Sequence, residues 1–188
     1  MRIIFLDVDG VLNNPATEDR IYGWRGIDPE LVQNLKSVYN ESNKEEETRI
    51  VVSSSWKNDE VREIERGYKR ADNIYKVLLE RLNNAGMEVL GYTTEEKSSW
   101  ERGKGILKWI EDYNKDHEPI SNYVILDDEE FDFYSYEDLK ARFVHTTENT
   151  NDELWPCYVG IGLQKQHMEK ALKILRGEIG EEKDVGES

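Results

Sequence analysis

The chain opens MRIIFLDVDGVLNN, where two carboxylates, Asp7 and Asp9, sit one residue apart at the end of its best apolar run, Ile3 to Leu6. Charge at the tip of a buried strand is costly unless it is paired or liganded. Side chains alternate along a strand, but Asp7 and Asp9 lean towards one site if the chain breaks into a loop at Gly10, which can turn there without a side-chain clash. A second acidic pair, Asp127 and Asp128, follows the run YVIL, and Ser53, Ser54, Ser55 and Trp56 follow the run RIVV. Ahead of the YVIL run, the stretch SSWERGKG carries Arg102 and Lys104.

Clustered carboxylates without a neighbouring His or Cys suit a hard divalent cation, above all Mg²⁺. Without such a cation they would repel and raise one another's pKa values. Mg²⁺ in turn points to a phosphate, because the ion completes its shell with water and substrate oxygens. A hydroxyl, backbone N–H groups and a cation would then hold the remaining phosphate oxygens. One carboxylate could attack phosphorus and form an aspartyl-phosphate, while a second protonates the leaving group and later activates water.

Each residue taken singly has a plainer reading. Ser54 could cap the next helix, Asp127 and Asp128 could mark a polar turn, and Arg102 and Lys104 could sit on a solvated helix end. The functional reading rests on the elements that bring them together.

Apolar runs at Arg2–Leu6, Arg49–Ser53, Met87–Tyr92, Tyr123–Leu126 and Arg142–His145 alternate with helical patterns. One helix starts at Pro29 behind a capping Asp28, with Leu31, Leu35 and Val38 as its apolar stripe. A longer pattern runs from Asp59 to Asn84, with Gly67 a point of interruption and Gly86 the stop. Two more cover Glu101–Tyr113 and Lys165–Leu175. Strand, helix, strand at this spacing predicts a single Rossmann-like α/β domain over residues 1–177. Its mostly parallel sheet has about five strands in the order 3-2-1-4-5, with helices on both faces. In such folds the working crevice lies outside the carboxyl ends of the strands, which is where every residue named above falls. The stretch 178–188, EIGEEKDVGES, reads as an acidic mobile tail.

With 25 basic and 40 acidic residues the formal charge is −15, which disfavours an extended nucleic-acid or anionic-membrane footprint but leaves room for a local positive pocket. No run approaches the roughly 20 apolar residues of a membrane span, and the first residues lack a signal-peptide pattern, so a cytoplasmic protein is expected. Cys157, the single cysteine, reads as a small apolar filler. His117 and His167 read as structural, Trp155 and Pro156 as a turn, and only His145 falls where it could approach the crevice.

The ordered set DVDGVLN, SSSW, RGKGILKWI and ILDD resembles the four-motif pattern of the haloacid dehalogenase (HAD) superfamily. Within it, the likeness is to the HAD domain of Swiss Army Knife RNA repair proteins, and the segment GLQKQHMEKAL resembles that group's closing segment. The resemblance implies Asp7 as nucleophile and metal ligand. It implies Asp9 as general acid/base, giving the metal its backbone carbonyl. It further implies Ser54 with the Ser55 backbone as phosphate binders beside the Gly10 loop, and Asp127 and Asp128 as holders of Mg²⁺. Two assignments stay open: Arg102 or Lys104 as the cation, and Ser53 or Ser54 as the hydroxyl.

The spacing leaves no room for a large cap, though NPATEDRIYGWRG could form a small flap with Tyr22, Trp24 and Arg25 near the site. The expected activity is Mg²⁺-dependent hydrolysis of a phosphomonoester in an open cleft. The alternatives are a phosphatase of nucleic-acid ends, or a non-catalytic phosphate or metal-binding module. The presence of both Asp7 and Asp9 speaks against the last.

Overall fold

The computed structural model describes residues 1–67, 72–94, 100–149 and 158–178. In chain order these form β1 (Arg2–Leu6), a hairpin of β2 (Arg20–Ile21) and β3 (Trp24–Arg25), α1 (Pro29–Asn43), β4 (Thr48–Val52), α2 (Asn58–Arg66) and α3 (Ile74–Asn84). There follow β5 (Val89–Tyr92), α4 (Arg102–Asp116), β6 (Asn122–Asp127), α5 (Glu137–Ala141), β7 (Phe143–His145), β8 (Thr147–Asn149), β9 (Tyr158–Gly160) and α6 (Lys165–Leu175).

Five strands make one parallel sheet in the order β5-β4-β1-β6-β7. This is the expected 3-2-1-4-5 order. β1 is central, and its side chains alternate between two apolar layers. Ile4 and Leu6 pack with Leu35 and Val38 of α1, Leu78 and Leu82 of α3, and Ile174 of α6. Ile3 and Phe5 face the opposite layer with Ile106 of α4 and Leu139 of α5. A strand buried on both faces needs a continuous apolar run, and RIIFL supplies it.

Register decides what lies at the sheet's carboxyl edge. Leu6 is level with Val52 on one side and Leu126 on the other. Asp7, Ser53 and Asp127 therefore emerge side by side. Backbone bonds from Asp7 N–H to the Leu126 carbonyl (2.9 Å) and from Ser53 N–H to the Leu6 carbonyl (2.8 Å) carry the pairing one residue past β1 and β4.

The helix expected over Asp59–Asn84 is instead two. α2 ends at Gly67, whose φ of 68° is left-handed, and α3 begins behind Asn73, whose side chain accepts from the Lys76 N–H. A residue in the left-handed region cannot continue a right-handed helix, and Asn73 supplies a fresh cap. Residues 68–71 of that span lie outside the described residues, as do Trp155, Pro156, Cys157 and the tail beyond Glu178. β5 starts at Val89 rather than Met87, and a bulge shifts its register between Ile50 and Val51 of β4. Asp28 does cap α1, accepting from the Glu30 N–H at 2.9 Å. No helix among the described residues is long and apolar enough to cross a membrane.

Candidate active site

The loop after β1 is built to turn sharply beneath the second acidic pair. Val8 is fully buried and anchors the turn, and Leu12 N–H bonds the Val8 carbonyl at 2.8 Å. Gly10 takes φ +69°, and a Cβ there would lie 2.1 Å from Asp128 Oδ2. No side chain fits that gap. The Gly10 N–H donates to Asn13 Oδ1 at 3.1 Å, so Gly10 shapes the site while its donor serves the loop. Its carbonyl accepts from Thr146 Oγ1 (2.8 Å) and from Gly162 N–H (3.0 Å), which ties the loop to the segment after β7.

Asp7, Asp127 and Asp128 converge. Each offers a carboxylate oxygen, and the three oxygens lie within 4.8 Å of one another. Arg102, at the start of α4, reaches into this group, with Nη1 3.0 Å from Asp7 Oδ1 and 2.5 Å from Asp127 Oδ2. Its guanidinium lies over the Phe131 ring at 4.0 Å, and Phe131 holds a left-handed φ of 41° to stand there. Burial pushes the Asp7 carboxyl up, against the opposing pull of Arg102 and a hydrogen bond from Ser54. Burial, then the neighbouring Asp7 charge, pushes Asp127 well above the ordinary carboxylate range. The same two causes push Asp128 up to about 7. Three buried acids that raise one another's proton affinity, with only carboxylate oxygens in the cluster among the described residues, fit a divalent cation of the Mg²⁺ type.

Asp9 is not one of the three converging carboxylates; two donors hold its side chain beside them. Asn13 Nδ2 donates to its Oδ1 at 2.9 Å, and the Trp56 indole N–H donates to its Oδ2 at 2.9 Å. The same Asn13 amide donates to the Gly26 carbonyl at 3.0 Å, which joins Asp9 to the base of the hairpin. Asn13 and Trp56 stand inside the quoted stretches DVDGVLN and SSSW, yet only the structure shows why.

The serines separate by role. Ser53 is fully buried and its hydroxyl has no partner among the described residues. Ser54 bonds Asp7 and caps the turn after β4, accepting from Trp56 N–H at 3.3 Å. Ser55 lines the cleft. Of the two cations, Arg102 is in the cluster, whereas the Lys104 ammonium pairs with Glu101 at 3.6 Å on a partly exposed helix face. Asp132, which sequence reasoning missed, caps α4 by accepting from the N–H groups of Gly103 (2.6 Å) and Lys104 (3.2 Å). That cap fixes the helix end that carries Arg102. His145 Nε2 lies 2.9 Å from the Asp128 carbonyl and so steadies the loop after β6, while His167 is buried against Gly162 as a structural group.

Two clefts meet here. A small one of about 180 Å³ is lined by Asp7, Arg102, Asp128 and Phe131, and a larger one of about 460 Å³ by Trp56, the hairpin and α2. Asp9 and Ser55 line both.

A central parallel strand ending in a buried acid, a second acid two residues on, and a paired-acid partner strand are the arrangement of a HAD-type domain. The family model for the HAD domain in Swiss Army Knife RNA repair proteins matches residues 3–151, and the chain belongs to that family. No curated protein and no solved structure gave a significant match.

Proposed function

We propose that the chain is a Mg²⁺-dependent phosphomonoester phosphatase that works through an aspartyl-phosphate on Asp7. The observation that carries this reading is the convergence of the Asp7, Asp127 and Asp128 carboxylates within 4.8 Å, with Asp9 held beside them by Asn13 and Trp56. Asp7, Asp127, Asp128 and the Asp9 backbone carbonyl would hold the metal, which when bound neutralises the acids and polarises the phosphoryl group.

An Asp7 oxygen attacks phosphorus as the bond to the leaving oxygen breaks, and Asp9 gives that oxygen a proton. Asp9 then takes a proton from water, the water oxygen attacks phosphorus, and inorganic phosphate departs with Asp7 restored. Ser54, the Ser55 backbone and Arg102 bind the phosphate oxygens, and binding substrate would draw Arg102 from Asp127 towards the incoming dianion. Ser53, fully buried behind them, is the poorer candidate for that contact.

Hydrolysis of p-nitrophenyl phosphate should require Mg²⁺ and be abolished by EDTA and by Asp7→Asn. Equal turnover in all three conditions would sink the reading. A narrower reading, a phosphatase of nucleic-acid ends, is favoured by the exposed aromatic hairpin beside the site and by the family's RNA repair proteins.

A further inference from the structure

The larger cleft is outside the phosphate chemistry, yet it shares Asp9 with it. If Asp9 protonates the leaving oxygen, the leaving group extends from an atom that touches Asp9, and the 460 Å³ cleft is open space that Asp9 also lines. The volume is in the range of small-molecule sites.

The hairpin that walls it is an unusual surface element. Its two-residue turn, Tyr22-Gly23, has φ of 51° and 86°, the left-handed pair of a type I′ turn. Asn or Gly adopts the first position easily; a tyrosine there is strained, and such strain gathers at functional sites. Tyr22 is 54% exposed and Trp24 71% exposed, the latter the most exposed of the large hydrophobic side chains described. The base beneath them is rigid. Asp19 accepts from the Ile27 N–H at 3.0 Å and pairs with Arg81 at 2.7 Å, and Arg81 also donates to the Ile27 carbonyl at 3.0 Å. Trp24 is thus displayed to water on a pinned scaffold, with the partly exposed Tyr22 beside it.

Charge adds a second feature. Arg25 lies directly across from Arg20 in the hairpin, and like charges so placed repel. Arg20 is committed to the carbonyls of Thr17 (2.6 Å) and Asp19 (2.8 Å). Arg62, across the cleft, pairs with Asp59 at 3.8 Å. Arg25 is exposed, lines the cleft, and has no carboxylate partner among the described residues, in a chain of net charge −15.

We propose that this cleft is the leaving-group subsite and selects a nucleoside carrying a second phosphate: the base stacks on Trp24 beside Tyr22, and Arg25 takes the second phosphate. The assignment rests on the phosphatase reading for its chemistry, since Asp9 would join the two clefts. An aliphatic leaving group would leave the aromatic face and Arg25 unmatched; a small cationic one could sit on the aromatic face and near Asp59 and Asp72, but it would set its charge against Arg25.

The test is calorimetric binding to Asp7→Asn protein with Mg²⁺, using ribose 5-phosphate, a nucleoside 5′-monophosphate, a nucleoside 3′,5′-bisphosphate and choline phosphate. The base should tighten binding about tenfold over ribose 5-phosphate, a typical return for stacking on one aromatic side chain. The second phosphate should tighten it further, by about fivefold. Trp24→Ala should remove the first gain and Arg25→Gln the second; both side chains are exposed, so neither change opens a core cavity. Equal affinities across the sugar and nucleoside ligands, tighter binding of choline phosphate, or gains untouched by the two substitutions would overturn the subsite. Turnover of p-nitrophenyl phosphate by the wild-type protein tests the underlying reading separately. Binding contrasts without turnover sink the catalysis and keep the subsite, whereas turnover without contrasts sinks the subsite alone.

Discussion

Replacing Asp128 by Asn should stabilise the metal-free protein at neutral and higher pH. The Asp128 carboxyl is pushed from an ordinary 3.8 up to about 7, first by burial and then by the Asp7 charge. At about 1.4 kcal/mol per tenfold change in proton affinity, that rise corresponds to about 4 kcal/mol against the ionised form. The side chain is only partly buried, and solvent screening reduces the figure to about 2 kcal/mol. The folded state favours the protonated acid, so this group's stability is fully present below about pH 4 and is lost as pH rises through about 7. Asparagine keeps the shape and removes the charge. In EDTA, thermal unfolding at pH 8 should place Asp128→Asn above wild type by about 4–8 °C for a domain of this size, with the gap narrowing as pH falls and closing only below about pH 4. Saturating Mg²⁺ at pH 8 should reverse the order, because the complete set of ligands binds the ion more tightly than the set lacking the Asp128 carboxylate. If Asp128→Asn is no more stable than wild type at pH 8 in EDTA, the acids do not repel as described and the metal argument loses its basis.

Trp56→Phe keeps a ring in the core but removes the indole N–H 2.9 Å from Asp9, so kcat should fall about tenfold with KM little changed. Asn13→Ala releases Asp9, the Gly10 N–H and the Gly26 carbonyl together, and should cost about a hundredfold in kcat and about 2 kcal/mol in denaturant unfolding. An unchanged kcat in both variants would remove Asp9 from the reaction. Arg102→Lys should lower kcat/KM by about a hundredfold, since an ammonium cannot bridge two acids and a phosphate as a guanidinium does. Lys104→Ala should stay within about twofold, as expected for a surface ion pair. The opposite ranking in steady-state assays would move the cation role to Lys104.

The sheet order and the edge that gathers the site were legible because β1, β4 and β6 each contain an apolar run (IIFL, IVV and YVIL), and polar residues begin where those runs end. The acids, serines and cations at those ends followed from the parallel fold alone. What sequence could not rank was direction. Arg102 and Lys104 sit two apart on one helix, and only the turn angle of α4, fixed by the Asp132 cap, sends Arg102 inward. Similarly, Ser53 and Ser54 differ by one residue, and the pairing of Ser53 N–H with Leu6 decides that Ser54 bonds Asp7. Asn13 and Trp56 acted through contacts 4 and 47 residues from Asp9, the second beyond any local pattern. The split at Gly67 was visible as a glycine, but Asn73 as a cap was hidden within a periodic stretch.

The central claim is that Asp7 carries the phosphoryl group during turnover. Acid-quenched single-turnover mixtures with a fast aryl phosphate and Mg²⁺, digested and read by mass spectrometry, test it most directly. The account predicts a transient gain of one phosphoryl group on the peptide holding Asp7, appearing with the burst of aryl alcohol and absent in Asp7→Asn. Turnover with a burst but with the phosphoryl group elsewhere, or Asp7→Asn protein that still turns over at the wild-type rate, would contradict it.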